Sequence, residues 1–159
     1  MENISPWWIV AAVIAIVVVV LALRWAWHLL AAVKVERARE LFRLQHERLE
    51  GMLLAAARAT GKPRGLTWLE CRIHGEATLV RDRIARQLVA LVPVVIQFEP
   101  VADSDMEDVP AAREPRPATA VFTFLRGHWQ TEGRIVFNLN PHQALNHFSK
   151  QLSMIESHH

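Results

Sequence analysis

The sequence predicts an α+β chain in which helix comes first and sheet second. Three observations carry that reading. Trp7 to Leu23 is seventeen residues without a charge. The following run, to Thr60, is rich in Ala, Leu, Glu and Arg and lacks proline. From Gly61 onward apolar and polar residues alternate, which is the period of a half-buried strand. The expected organisation is a tail over 1–6, a transmembrane helix over 7–33 and a juxtamembrane helix over 34–60. An α+β domain over 61–159 follows, with an acidic, proline-rich loop at about 100–118.

At about 1.5 Å per residue the uncharged run reaches roughly 26 Å, against a hydrocarbon core about 30 Å thick. Arg24 interrupts it, and "WAWHLLAAV" carries it on to Val33. An arginine near the end of a span can extend its guanidinium to the head groups. Trp7 and Trp8 at one end, and Trp25 and Trp27 at the other, suit the two interfacial belts. Trp7, Trp8, Arg24, Trp25 and Trp27 are therefore the expected membrane-anchoring residues. A cleaved signal peptide fits less well, because "MENISP" has no basic side chain and no small-x-small site follows the run. Only Glu2 is charged before the span, whereas Arg24, Lys34, Arg37, Arg39 and Arg43 follow it. The positive-inside rule then predicts one span, with the N-terminus out and the C-terminal domain cytoplasmic.

Val35, Ala38, Phe42, Gln45, Leu49, Met52 and Ala56 recur at alternating spacings of three and four, an a/d pattern. Two uses of that pattern stay open. One is a juxtamembrane coiled coil that makes a homo-oligomer. The other is packing on the chain's own domain or on a protein partner. Leu41, Leu44, Leu53 and Leu54 widen the stripe beyond a strict seam, which favours the second. The candidate oligomerisation or packing seam is Val35, Ala38, Phe42, Leu49 and Met52. Gly61 and Pro63 mark the end of the helix.

About five antiparallel strands are expected beyond Gly61. "LTWLECRI" places Thr67, Leu69, Cys71 and Ile73 on one face, and "ATLVR" returns after the turn at His74–Glu76. "LVALVPVVIQFE" directs Leu88, Ala90, Val92, Val94, Ile96 and Phe98 to one side. Pro93 has no N–H, so that strand is expected at an edge or at a bulge. "ATAVFTFL" and "WQTEGRIVFNL" form a second hairpin, with a turn or bulge at Glu132–Gly133 and Ile135, Phe137 and Leu139 inward. Asn140, Pro141 and Gln143 make a capped helix start. The last helix is expected to run to Glu156 and to share one face of the sheet with the end of the long helix. In outline this resembles the helix-wrapped sheets of cystatin-like and NTF2-like domains, a likeness from which function does not follow.

The chain carries a net charge of +2, yet from Gly61 onward eleven basic side chains face eleven acidic ones. A nucleic-acid partner is therefore not expected. Cys71 is the one cysteine, which rules out an intramolecular disulfide and a cysteine-based zinc site. Cys71 and His74 are three apart on a strand and point to opposite faces, so they make no nucleophile–base pair. His142 and His147 are five apart on a helix and turn about 140° from each other, too far to share a metal. Phosphate-loop, nucleophile-elbow and zinc-helix motifs are absent.

"FEPVADSDMEDVP" is the most chemical-looking stretch. Its Asp103, Asp105, Glu107 and Asp108 lack the bend glycine of a calcium loop. No catalytic, cofactor or metal site is expected. The stretch reads instead as a mobile acidic arm, flanked by Pro110, Pro115 and Pro117, that contacts a partner's basic surface or the chain's own juxtamembrane arginines. The expected function is that of a non-catalytic, single-pass membrane-anchored protein. Its domain would bind or position a protein partner, as an assembly factor or accessory subunit. The alternative is a small-ligand-binding or weakly catalytic domain, with Trp68 and Trp129 lining a pocket between sheet and last helix.

Overall fold

A computed structural model describes residues 7–61 and 63–155. The expected tail over 1–6, and the last residues from Glu156, lie outside the described residues. The chain divides into two compact units, Met1–Arg37 and Ala38–His159. The first is helical throughout its described part. Helix α1 runs Trp7–Leu44, so its last turns belong to the second unit. Among the described residues α1 is the one helix long and apolar enough to cross a membrane.

The helical run does not pass unbroken to Thr60. Gln45 leaves helical geometry (φ −107°, ψ 20°), and α2 follows as His46–Thr60. The hydrogen-bond ladder survives the break. The Gln45 N–H donates to the Leu41 carbonyl (3.1 Å), and the Gln45 carbonyl accepts from the Leu49 N–H (2.9 Å). Helix α2 ends where the Gly61 N–H donates to the Ala57 carbonyl.

The sheet has seven antiparallel strands: β1 (Leu66–Ile73), β2 (Thr78–Asp82), β3 (Leu88–Pro100), β4 (Arg116–Leu125), β5 (His128–Gln130), β6 (Ile135–Phe137) and β7 (Leu152–Met154). Strand β3 organises it. One of its edges takes β2 along 88–91 and β1 along 94–100, and the other takes β4 along 88–96. Strand β4 then takes β5 and β6, and β2 takes β7. Two changes raise the expected five strands to seven. The last expected strand divides at Glu132–Gly133 into β5 and β6, and β7 replaces part of the last helix.

Three expectations are corrected, each by the way the strands pair. Pro93 lies in the central strand, not at an edge. Its carbonyl accepts from the His74 N–H (2.8 Å), so its nitrogen faces the gap where β1 has ended and β2 has not begun. No ladder partner is lost there. In β1 a bulge leaves Leu69 unpaired between Trp68 and Glu70. The extra residue reverses the alternation, so Trp68, Cys71 and Ile73 are buried while Leu69 is 45 % exposed. The last helix, α3, covers only Pro141–His147. Its capping box forms as expected between Asn140 and Gln143. Beyond it the Gln151 and Leu152 N–H groups both donate to the Phe148 carbonyl, and the chain turns back to pair with the free edge of β2. Three ladder pairs with β2 outweigh the local helical periodicity of so short a segment.

The helices lie on opposite faces, not on one. Val80, Val89 and Leu91 form a core with Ala144 and Leu145 of α3, bordered by Val121, Leu139 and Leu152. The alternate residues Ala90, Val92, Val94, Ile96 and Phe98, with Phe122 of β4, are buried on the other face, beneath the end of α1 and α2. There Phe42 meets Phe122 and Trp129 edge to face, with centroids 5.6 and 5.4 Å apart. Trp129 Nε1–H donates to the Ala38 carbonyl (2.8 Å). Of the candidate seam, Ala38, Phe42 and Leu49 are thus buried within their own unit. Met52 is half-buried, Leu53 and Ala57 take over beyond Gln45, and Val35 belongs to the first unit.

Two glycine-bearing turns make opposite predictions. Gly133 has φ +75°, and a Cβ there would stand 2.7 Å from the Ala56 and Ala57 backbone of α2. Gly133→Ala should cost about 2 kcal/mol or more through φ strain and displacement of α2, read as a lower thermal midpoint. Arg126 (φ 51°) and Gly127 (φ 85°) form the two-residue β4–β5 turn, a geometry that favours Asn-Gly. Arg126→Asn should raise stability by about 0.5–1 kcal/mol in the same melting experiment.

Candidate functional site

The acidic stretch joins β3 to β4 and is a folded series of turns, not a mobile arm. The Val101 N–H donates to the Gly65 carbonyl (2.9 Å), which ties the loop to the start of β1. Ser104 Oγ donates to the Val101 carbonyl (2.6 Å) and lies 3.2 Å from the Gly65 carbonyl oxygen. Glu107 Oε2 accepts from the Asp103 N–H (2.7 Å), and the Glu107 N–H donates to the Ser104 carbonyl (3.0 Å). Asp103 takes a left-handed φ of 60°, which Asp tolerates better than most residues. A 3₁₀ turn over Pro110–Ala112 follows, with Ala112 buried. Pro117 lies within β4 opposite Val95, so the proline-rich segment does not exclude regular structure to its end.

Asp103, Asp105, Glu107 and Asp108 are all exposed. They sit at the Pro100 end of β3, whereas Ala38 and Phe42 pack near the Leu88 end through Trp129, whose strand partner Phe124 faces Leu88. Thirteen residues of strand, about 40 Å, separate the two ends. The loop therefore does not fold back onto Arg39 and Arg43. Among the described residues no three His, Cys, Asp or Glu side chains converge as a metal-binding set.

Cys71 lies beneath α2, opposite Ile96. Burial, and then the neighbouring charges of Glu50 and Glu70, push its thiol up to about 12. Glu50 is held there by a second task, since its Oε1 accepts from the Ile73 N–H (2.7 Å). That N–H faces away from β3, so Glu50 covers a donor on the outer edge of β1. Arg58, further along α2, donates to the Trp68 carbonyl on the same strand (2.8 Å). His74 is exposed and borders a hollow with Pro93 and Val95, on the face opposite Cys71. The exposed pair Arg72–Glu70 (2.7 Å) holds the Arg72 guanidinium above its usual range, chiefly through that hydrogen bond.

Three of the hollows among the described residues of the second unit bear on these expectations. One of about 230 Å³ lies beside α3, where the Arg134 guanidinium covers the Phe148 ring at 5.2 Å. A shallow one of about 480 Å³ includes His74, Asn138 and Gln143. The third, about 310 Å³, lies between Arg39, Arg43 and His46 and the segment Gly75–Leu79. Neither Trp68 nor Trp129 lines any of them. Both are buried on the α2 face, with their indole N–H groups bonded to the Gly61 and Ala38 carbonyls. The pocket-lining role considered for them is corrected accordingly. Ala144 and Leu145 fill the interface between α3 and the sheet.

The run "RDRIARQ", which reads as a connection in the sequence, is the β2–β3 turn. There Ile84 is 79 % exposed, while Asp82 Oδ1 accepts from the Ile84 and Ala85 N–H groups, each at 2.8 Å. The available signal was one large apolar residue inside the polar run "RDRIARQ". No protein family, curated protein or solved structure matches the chain.

The raised thiol sets the reactivity of Cys71. At pH 8 the native protein should react with iodoacetamide roughly a thousandfold more slowly than the chain in guanidinium, since its thiolate fraction falls about tenfold per pH unit below the thiol pKa. Because the folded value lies above the usual 9.0, the protonated thiol's contribution to stability is complete below pH 9 and is lost as pH rises toward 12. Cys71→Ala should remove that part of the alkaline dependence.

Proposed function

We propose that the chain is a single-pass membrane protein whose second unit, on the cytoplasmic side, binds or positions a protein partner as an assembly factor or accessory subunit. The observation that carries the anchoring is the state of α1. Val13, Ile14, Ile16, Val17, Val18, Val19, Val20 and Leu21 are exposed on every side of the helix, and none of its most apolar stretch is buried. Consecutive apolar positions cover all faces of a helix, and only a lipid solvent or a large protein core suits such a surface. Trp7 and Trp8, Arg24, and Trp25 and Trp27 are exposed at its ends and suit the two interfaces. Lys34, Arg37, Arg39 and Arg43 beyond the span support the cytoplasmic orientation.

Two features support the partner-binding half. The Ala38–Phe42–Leu49 face is spent on the chain's own sheet, which favours a partner at another surface over a coiled coil along that face. The exposed carboxylates Asp103, Asp105, Glu107 and Asp108 are held in a hydrogen-bonded loop, so little ordering would be lost on meeting a basic partner surface.

Alkaline carbonate washing should leave the full chain in the membrane pellet, and Val17→Asp with Val19→Asp should release it. A C-terminal reporter active only in the cytoplasm should be active; a stable but inactive fusion would reverse the orientation. Replacing the four loop acids by their amides should lower partner recovery from mild detergent at least tenfold without changing membrane retention. Unchanged recovery would place the partner surface elsewhere.

A further inference from the structure

The second unit has no net charge surplus in its sheet-forming part, yet the fold gathers five basic side chains at one end of the sheet. At the Leu88 end of the sheet lie the β2–β3 turn, the β4–β5 turn and the segment leading into β7. The first is closed by the Asp82 N–H on the Gln87 carbonyl, and the last is held by the Arg83 N–H on the Gln151 carbonyl. They bring together Arg81, Arg83, Arg86, Arg126 and Lys150, all exposed. None of the five is in an ion pair with a described residue. The acid nearest in sequence, Asp82, is committed to two backbone N–H groups of the turn, which hold Ile84 outward between Arg83 and Arg86. The Pro100 end, about 40 Å away along β3, carries Glu99, Glu114 and the acids of the loop, with Arg64, Arg113 and Arg116 interspersed among them.

Chain connectivity adds the second observation. The Ala38 carbonyl is bonded to Trp129, next to the β4–β5 turn, so the chain enters this unit at its basic end. The apolar run stops at Val33, which leaves only residues 34–37 between them. Even fully extended, that link reaches at most about 18 Å.

We infer that the Leu88 end of the sheet is a docking surface for the anionic phospholipid head groups of the bilayer that holds the chain. Arg81, Arg83, Arg86, Arg126 and Lys150 meet the phosphates, and Ile84 enters the boundary between head groups and acyl chains. The inference rests on the anchoring proposed above. Arginine forks match phosphate oxygens, and a basic rim around an exposed aliphatic tip is the pattern of an interfacial contact. The Pro100 end keeps more acids than bases, so an anionic surface favours the Leu88 end over it.

The test uses the full chain in phosphatidylcholine vesicles with and without about 30 % phosphatidylglycerol, within the range of anionic content that attracts basic segments. Ile84→Cys in a Cys71→Ala background carries an environment-sensitive fluorophore, with Asp105→Cys as the distal control. The Ile84 position should shift to the blue and lose at least threefold of its iodide quenching in anionic vesicles only. The Asp105 position should not change. Arg81→Gln with Arg83→Gln and Arg86→Gln, or 0.5 M salt, should abolish the shift. In the unsubstituted chain, hydrogen exchange over residues 83–87 should slow severalfold on anionic vesicles. A chain retained after carbonate washing that shows neither effect overturns the docking alone, and a chain released from both vesicle types overturns the anchoring beneath it. A shift equal in both vesicle types removes the anionic head groups from the inference.

Discussion

One face of the sheet carries Val92, Val94, Ile96 and Phe122, and water must be kept from it. The stretch from Ala38 to Ala57 does this, and much of the second unit follows from how it is held. Ala38, Leu49 and Leu53 lose all their exposure, and at about 25 cal/mol per Å² of apolar surface such burial is the main favourable contribution in a unit of this size. Directional contacts then set where the helix lies. Trp129 grips its first turn through the Ala38 carbonyl, Glu50 and Arg58 bind the outer edge of β1, and Gly133 lets the α2 backbone come close. Each polar contact is modest alone, on the order of 1 kcal/mol. Together they specify register along a surface that hydrophobicity only makes attractive.

The same contacts manage an edge. β1 is paired on one side only, and an open edge invites pairing with another chain. Glu50 and Arg58 occupy an N–H and a carbonyl on that edge, so the helix that buries the sheet face also blunts its border. A buried thiol lies close by. Cys71 is shielded by the packing that keeps Glu50 in place, and the two carboxylates near it oppose the thiolate further.

Much of the architecture was legible in the residues. The helix-first order, the alternation of β3 and β4, the Asn140–Gln143 cap and the apolar character of α1 all rest on local periodicity or local chemistry. What was not legible came from partners distant in the chain. Leu69 was placed on the wrong face because a bulge against β3 shifts the parity between Trp68 and Glu70. Pro93 looked like an edge residue because its missing N–H has no cost only where two other strands happen to leave a gap. The helix after His147 was read too long because the competing β2 edge is seventy residues away.

The acidic loop shows the same division at the candidate site. Composition marked Asp103 to Asp108 as unusual, and three prolines suggested a chain without structure. The hydrogen bond from Val101 to Gly65, and the approach of Ser104 to the same carbonyl, required the start of β1 beside the end of β3, which is a matter of strand pairing. The Leu88 end is sharper still. Arg81, Arg83, Arg86, Arg126 and Lys150 are scattered over seventy residues in which basic and acidic side chains are interspersed.

By itself the sequence determined the long apolar helix, the class of the fold and the absence of an intramolecular disulfide, because these depend on composition and on neighbours a few residues apart. The tertiary structure decided which faces the helices cover, which strand lies at the centre, and that five basic side chains collect at one end of the sheet. Those depend on contacts between residues far apart in the chain, and periodicity carries no record of them.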